Sequence, residues 1–143
     1  MSKIFRLLPL MVLLILAGAI STNADEVGGI IGSDTTWNLS KSPYTITSEI
    51  QIDRGITLSI EPGVTINGKG HRILVFGNLK AIGTEGSTIK FYDTNIVPAD
   101  DSSGNNHLIQ ITFSYFKRGS IYQSMNHPYG NLILKNSKIE NVN

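Results

Sequence analysis

Apolar and polar residues alternate along much of the chain after residue 45. The run ITLSIEPGVTI (Ile56–Ile66) is followed one repeat later by ILVFGNLKAIGTEGSTIKF (Ile73–Phe91). A period of two indicates strands with one buried face and one solvent-facing side. Turns at Asp53-Arg54-Gly55 and Glu61-Pro62-Gly63 interrupt the strands, because Pro presets φ and Gly accepts positive φ. The pattern predicts many short strands and essentially no α-helix after residue 23.

The alternating strands also recur at similar intervals, of about 21 to 25 residues, which is the length of one coil in a repeat protein. Three pairs of apolar positions are repeated in this way: Ile50 and Ile52 with Ile73 and Val75, Leu58 and Ile60 with Leu79 and Ala81, and Val64 and Ile66 with Ile89 and Phe91. An up-and-down sandwich does not require similar shifts, whereas in a solenoid each shift is one coil and like strands stack in parallel. The sequence therefore predicts an all-β fold, a parallel β-helix (β-solenoid) of about four coils.

The repeat is less regular in the second half of the chain. A polar stretch, residues 93–106, is predicted to be a loop, and strands resume at Leu108–Phe113, Ile121-Tyr122 and Leu132–Leu134. Asparagines follow at turn-like spacings: Asn131, Asn136, Asn141 and Asn143. Asn tolerates left-handed backbone angles and can stack at the corners of successive coils, although each one singly is also explained as an ordinary loop residue.

The N-terminus has the pattern of a secretory signal peptide. Lys3 and Arg6 precede the apolar run Leu7–Ala17, and Ala24 provides a small residue before a cleavage point. An uncleaved anchor helix is the alternative, although a spanning helix needs about 20 apolar residues. We expect residues 1–24 to be the signal peptide, 25–45 a lead-in and cap, and 46–143 the β-helix, incomplete at its C-terminus. The predicted location is secreted or at the cell surface.

Charge and cysteine content exclude several functions for the mature chain. Two of the 12 Lys and Arg residues lie in the signal peptide, which leaves ten against 11 Asp and Glu. A near-neutral domain has no bulk electrostatic attraction to nucleic acid or an anionic membrane. Without cysteine, the chain has no disulfide, no thiol chemistry and no Cys-ligated metal. We expect no nucleic-acid partner. We also expect that the chain is not an integral membrane protein after cleavage of the signal peptide.

The segments Thr57–Ile66 and Ile73–Phe91 resemble the N-terminal coils of secreted right-handed parallel β-helix proteins of the pectate-lyase-like superfamily. The resemblance covers Trp37 to Asp93 well and His107 to Asn143 loosely. It implies a right-handed β-helix whose N-terminal end is capped, here by Trp37, Leu39 and Tyr44. No matching C-terminal cap is evident. The resemblance implies either a fragment of a longer protein or an end covered by a partner or a second copy.

The resemblance also suggests where metal and basic groups could act. Polysaccharide lyases of this superfamily use Ca²⁺ held by carboxylates, together with an Arg or Lys base. Asp100 and Asp101, in a loop with other oxygen ligands, are the metal candidates, but Ca²⁺ demands many ligands and we favour a solvated acidic loop. Arg72, Lys117 and Arg118 are the basic candidates, and we favour a cationic rim along a sheet edge. Apart from Ca²⁺, we expect no cofactor.

Aromatic residues late in the chain are the better functional signal. Tyr115, Phe116, Tyr122 and Tyr129 lie near Lys117, Arg118, Asn126 and His127. Flat rings pack on the C–H groups of sugars while polar neighbours meet the hydroxyls. The candidate ligand site therefore comprises Tyr115, Lys117, Arg118, Tyr122 and Tyr129. The alternative is that Phe113 and Phe116 belong to the core and that the tyrosines are half-buried coil edges.

The sequence leaves three functional hypotheses. The first is an exported structural and recognition module that contacts polysaccharide or a cell surface and encodes no reaction, hence no catalytic residue. The second is the N-terminal fragment of a polysaccharide lyase or glycoside hydrolase of the same superfamily. The third is a structural piece that self-associates through its uncapped C-terminal end. In addition, Asn38-Leu39-Ser40 matches an N-glycosylation acceptor.

Overall fold

The chain folds into a parallel β-solenoid of about four turns. A computed structural model describes residues 24–99, 107–121 and 130–140. Within these residues the only helical element is a short 3-10 turn, Leu39–Lys41. The strands are β1 Asp25–Ile31, β2 Thr35–Trp37, β3 Tyr44–Ile52, β4 Thr57–Ile60, β5 Thr65–Asn67, β6 Arg72–Val75, β7 Asn78–Ile82, β8 Ile89–Tyr92, β9 Asn95–Pro98, β10 His107–Thr112, β11 Ser114–Lys117, β12 Ser120–Ile121, β13 Gly130–Lys135 and β14 Lys138–Glu140.

The strands are arranged in three rows that run along the solenoid. The first row contains β2, β4, β7, β10 and β13. The second row contains the beginnings of β1 and β3, followed by β5, β8, β11 and β14. The third row contains the ends of β1 and β3, followed by β6, β9 and β12. Named strands that are neighbours within a row are paired in parallel, so each coil repeats the path of the previous one.

The interior is a continuous column of apolar side chains. In the second row Ile66, Phe91 and Phe116 are in register and fully buried. The rings of Phe91 and Phe116 are stacked, with centroids 4.4 Å apart and an angle of 4° between the planes. Near the N-terminal end, Trp37 and Tyr44 are stacked in the same way at 5.0 Å. Stacked rings therefore fill the core, between successive coils at Phe91 and Phe116 and between consecutive strands at Trp37 and Tyr44.

Corners between rows are closed by a repeated local motif. At three corners a residue with positive φ precedes a Ser or Thr whose hydroxyl donates to the carbonyl two residues earlier. These corners are Asp93-Thr94, Phe113-Ser114 and Asn136-Ser137. The Ser137 hydroxyl oxygen also accepts a hydrogen bond from the backbone N–H of Ser114 at 3.1 Å. The corners thus satisfy polar backbone groups and link successive coils.

The repeat inferred from the sequence is confirmed in its register. The positions that the sequence matched by their shifts are direct partners in the sheets: Ile52 with Val75, Ile60 with Ala81, and Ile66 with Phe91. Essentially all regular structure in the described residues is strand, as predicted. Asn136 has the left-handed backbone expected of a corner residue, with φ of 49°.

Two segments differ from the sequence-based expectation. Part of the predicted loop 93–106 is strand β9, which pairs with β6 so that Ile96 lies beside Ile73 in the core. Its outward residues Asn95 and Val97 and its final Pro98 hid the alternation. Part of the predicted lead-in is strand β1, which pairs with β3 across the irregularity between Val27 and Gly29. The two glycines at positions 28 and 29 conceal the strand, because they add no side-chain pattern.

The predicted signal peptide lies outside the described residues, apart from Ala24. In the part of the chain that the structure describes, no helix has the length and apolarity required to cross a membrane. At the last described coil, Leu134 and Ile139 continue inward columns but are each 41% exposed. This end of the described solenoid therefore presents apolar side chains to solvent.

Candidate functional site

The outward side of the second row carries an aromatic and charged surface, which we call the tyrosine face. Side chains alternate along a strand, so the residues on either side of Phe91 in β8 and of Phe116 in β11 point outward. Tyr115 lies beside Lys90 and Lys138 in the sheet register, and Lys117 lies beside Tyr92 and Glu140. The tyrosine face comprises six side chains from β8, β11 and β14: Lys90, Tyr92, Tyr115, Lys117, Lys138 and Glu140.

Contacts within this face fix the orientation of the second tyrosine ring. The Tyr92 and Tyr115 rings meet edge to face, with centroids 6.4 Å apart and an interplanar angle of 75°. The Tyr115 hydroxyl donates to Glu140 Oε2 at 2.5 Å, and Lys138 Nζ donates to Glu140 Oε1 at 2.7 Å. Glu140 therefore bridges a phenol and an ammonium group from neighbouring strands, and both aromatic rings remain partly accessible.

These contacts also set the protonation states of the face. The hydrogen bond to Glu140 raises the pKa of Tyr115, because the neutral phenol is the donor. The hydrogen bond from Lys138, followed by that from Tyr115, lowers the pKa of Glu140. At neutral pH the face therefore holds a neutral phenol beside a carboxylate. Three lysines stand against that one carboxylate, so the face carries an excess of positive charge.

A charged pair lies at the corner between the second and third rows, where Asp93 follows β8 and Arg118 follows β11. Arg118 donates to both carboxylate oxygens of Asp93, from Nε and Nη2, each at 2.7 Å. This bidentate geometry lowers the pKa of Asp93 and raises that of Arg118, in each case first through the hydrogen bond between them. Both residues have positive φ and occupy equivalent corners of successive coils. The pair links two successive coils at the edge of the tyrosine face.

The structure brings together part of the ligand site predicted from the sequence. Tyr115 and Lys117 are on the tyrosine face, and Arg118 is at its corner. Tyr122 and Tyr129 lie outside the described residues. Phe116, which lies among these tyrosines in the sequence, is fully buried in the core, in agreement with the alternative that assigned it there.

Sequence reasoning missed Tyr92, Lys90, Lys138 and Glu140 as members of this face. The missing signal was the coil shift, because Lys117 lies one coil after Tyr92 and one coil before Glu140. Applying the predicted repeat to outward positions, as well as to buried ones, would have placed these residues together.

The metal candidates Asp100 and Asp101 lie outside the described residues. Among the residues that are described, no three His, Cys, Asp or Glu side chains are close enough to hold a metal ion. Arg72, the remaining basic candidate, forms an ion pair with Glu49 of the preceding coil, with Nη2 and Oε2 2.6 Å apart.

Apart from the tyrosine face, a concave region lies at the corner that follows the third-row strands β3 and β6. It has a volume of about 410 Å³, and its described lining residues are Gln51, Asp53, Arg54 and Phe76. Gln51 Nε2 donates to Asp53 Oδ1 at 2.8 Å, and the Arg54 guanidinium lies 5.8 Å from the centroid of the Phe76 ring. Gln51 and Asp53 thus engage each other, Arg54 lies over the Phe76 ring, and this corner follows a different row from the tyrosine face.

Comparison with known proteins gives one limited similarity. No protein-family model matches the sequence, and no solved structure matches it. A stretch of 72 residues is 46% identical to part of the protein bark beetle of Drosophila melanogaster, covering 48% of this chain. The match spans about 2% of the length of that relative. The similarity therefore relates half of this chain to a small part of a much longer animal protein, and it assigns no family.

Proposed function

We propose that the protein is an exported β-solenoid module that binds polysaccharide through its tyrosine face and catalyses no reaction on it. The observation that carries this proposal is the pair of partly exposed rings, Tyr92 and Tyr115, set 6.4 Å apart on one outward sheet surface. Aromatic rings provide flat apolar area at small conformational cost, and sugars offer C–H groups to pack on it. The row of strands beneath keeps these rings in fixed positions.

The charge on the face favours an acidic polysaccharide. Lys90, Lys117 and Lys138 surround the two rings, and only Glu140 opposes them within the face. Lysine ammonium groups attract carboxylate or sulfate groups of a glycan, and salt screens this attraction. The excess positive charge is local, since the mature chain as a whole is close to neutral.

Two features of the sequence support export. Residues 1–24 have the basic, apolar and small-residue regions of a signal peptide. The repeated strands resemble those of secreted proteins in the pectate-lyase-like superfamily. An exported solenoid that binds glycan would act outside the cell or at its surface.

Binding is tested with the protein recovered from the medium of a host that expresses and secretes the full-length chain. Retention on immobilised polygalacturonate, an acidic polysaccharide, is compared with retention on a neutral polysaccharide such as amylose. We expect preferential retention on the acidic polymer, weakening as salt is raised. Replacing both rings, Tyr92→Ala with Tyr115→Ala, should weaken binding by about tenfold or more. Phe76→Ala, a partly exposed aromatic at the other corner, is the matched control and should bind normally.

The outcomes separate the functional hypotheses. Equal retention of the double variant and the wild type would contradict the tyrosine face as the binding site. Release of unsaturated or reducing sugars would contradict the module that catalyses nothing and support the lyase or hydrolase hypothesis. The N-terminal sequence of the secreted chain should begin near residue 25. A chain that still carries residues 1–24 and stays in a membrane fraction would contradict cleavage. Sedimentation velocity on the same samples tests self-association, the remaining hypothesis.

A further inference from the structure

We infer that Asn38 is a site of N-linked glycosylation, an inference that rests on the export part of the proposed function. The chain contains one Asn-x-Ser/Thr acceptor in which x is not Pro, Asn38-Leu39-Ser40. It occupies the corner between β2 and β3, in the short 3-10 turn that follows Trp37. A modification site at this corner is independent of the tyrosine face, which belongs to later coils.

The acceptor turn is open to solvent in the folded protein. Leu39 is 53% exposed, Ser40 and Lys41 are exposed, and Asn38 is partly exposed. N-linked glycans are bulky and occupy surface loops. An attached glycan at this corner would extend into solvent without displacing a core side chain, and it would lie beside the exposed Leu39.

The two polar side chains of the acceptor contact each other in the folded protein. The Ser40 hydroxyl donates to Asn38 Oδ1 at 2.7 Å, so the carboxamide oxygen is engaged by the second polar residue of the motif. Within the described residues Asn38 Nδ2 forms no hydrogen bond, which leaves the nitrogen that receives the sugar available. Asn38 itself has an extended backbone, with φ of −94° and ψ of 157°.

The rest of the corner is fixed through backbone groups and not through the acceptor side chain. The Asn38 N–H donates to the Tyr44 hydroxyl at 2.9 Å, and the Tyr44 hydroxyl donates to the Asn38 carbonyl at 3.3 Å. The Leu39 N–H donates to Glu61 Oε2 of the next coil at 2.9 Å. Because these contacts do not use the carboxamide of Asn38, glycosylation leaves the corner intact.

The transfer is balanced with a lipid-linked oligosaccharide diphosphate as the donor. A bond forms between Asn38 Nδ2 and the anomeric carbon of the first sugar. The bond between that carbon and the diphosphate oxygen breaks, the lipid diphosphate leaves, and the amide nitrogen loses one proton. The host's glycosyl-transfer enzyme in the secretory lumen performs this step, so the chain must reach that compartment.

The test is expression of the full chain in animal cells, followed by digestion with a peptide N-glycosidase. We expect a decrease in apparent mass on digestion for the wild type, and peptide mass spectrometry should locate conversion of residue 38 to aspartate. Asn38→Gln and Ser40→Ala should abolish the decrease, whereas Ser40→Thr, which keeps the hydroxyl, should retain it.

A positive control separates failure of glycosylation from failure of export. Glu85→Asn, combined with Asn38→Gln, places an Asn two residues before Ser87 in another exposed turn. If this variant is glycosylated and the wild type is not, the chain enters the secretory lumen and the inference about Asn38 is wrong. If neither is glycosylated, the inference about Asn38 is wrong, and absence of the chain from the medium would overturn the export proposal as well.

Discussion

Two isoleucines occupy the same inward column but lie in different environments. Ile66 and Ile139 align with Phe91 and Phe116 in the register of the second row. Ile66 is fully buried, whereas Ile139 is 41% exposed. Strand β5 has described neighbours on both sides, and β14 pairs with a described strand on one side only. In a solenoid, burial thus depends on the neighbouring coils more than on the residue, as expected when stability is a sum of nearest-neighbour contacts.

The N-terminal end contrasts with the last described coil. Trp37 and Tyr44 are 3% and 2% exposed, and their rings stack on each other. At the N-terminal end these two large rings are buried. At the last described coil, the smaller aliphatic side chains of Leu134 and Ile139 are exposed. The predicted cap residue Leu39 differs from these two, because it is 53% exposed.

The largest expected difference is between the two isoleucines themselves. Ile66→Ala should lower the free energy of unfolding by about 2–5 kcal/mol, because it leaves a cavity between two coils. Ile139→Ala should cost only about 1–2 kcal/mol, because part of this side chain is already in water. Urea denaturation of both variants measures the difference. Equal losses would contradict the assignment of the last described coil as an open end.

A glycine at a corner between coils tests how closely the coils approach. An added Cβ at Gly68 would lie 2.4 Å from the Asp93 carbonyl oxygen and 2.7 Å from Thr94 Cα. Gly68→Ala should therefore destabilise the protein by about 1–3 kcal/mol through overpacking. Gly86, in an exposed turn with no heavy atom within 4 Å of its added Cβ, is the matched control. Thermal unfolding should leave Gly86→Ala near the wild type, and an equal loss in both variants would contradict the close contact.

Removing one hydroxyl tests the covered N-terminal end. Tyr44→Phe keeps the ring stacked on Trp37 but leaves the Asn38 N–H without its acceptor. We expect a loss of about 1–2 kcal/mol in the free energy of unfolding. Tyr92→Phe removes a hydroxyl from the tyrosine face and should change stability much less. A neutral Tyr44→Phe variant would show that stacking alone holds this end.

The smallest effect should come from the exposed corner pair. Because Arg118 lowers the pKa of Asp93, the pair stabilises the fold above the ordinary carboxyl pKa, and this contribution is lost as pH falls through the lowered value. Arg118→Ala should therefore reduce stability at neutral pH and reduce it least in strong acid. Lys80→Ala, which removes a charge that forms no ion pair within the described residues, is the control. Unfolding midpoints of the wild type, Arg118→Ala and Lys80→Ala are measured from neutral to acidic pH. The same pH dependence in all three proteins would contradict a stabilising pair.

The register could be predicted from the sequence because buried positions repeat visibly. Leu58 and Leu79 are both fully buried, lie one coil apart, and pair directly. Prediction failed where side chains give no contrast, as at the glycines of β1, or where polar outward residues dominate a short strand, as in β9. The step from Leu79 to its next partner Ile109 is longer than the step from Leu58 to Leu79, so a constant repeat does not locate it.

The linear order of apolar, turn and polar residues was sufficient to specify strands, corners and parallel stacking. That is because a period of two and a coil-length repeat follow from local backbone geometry and nearest-neighbour burial. The composition of the tyrosine face was not specified in this way. Tyr92, Tyr115 and Glu140 come from three coils of unequal length, and they meet only once the register of those coils is set. The contact between Asp93 and Arg118 arose likewise, from two corners that the stacking of coils brings together.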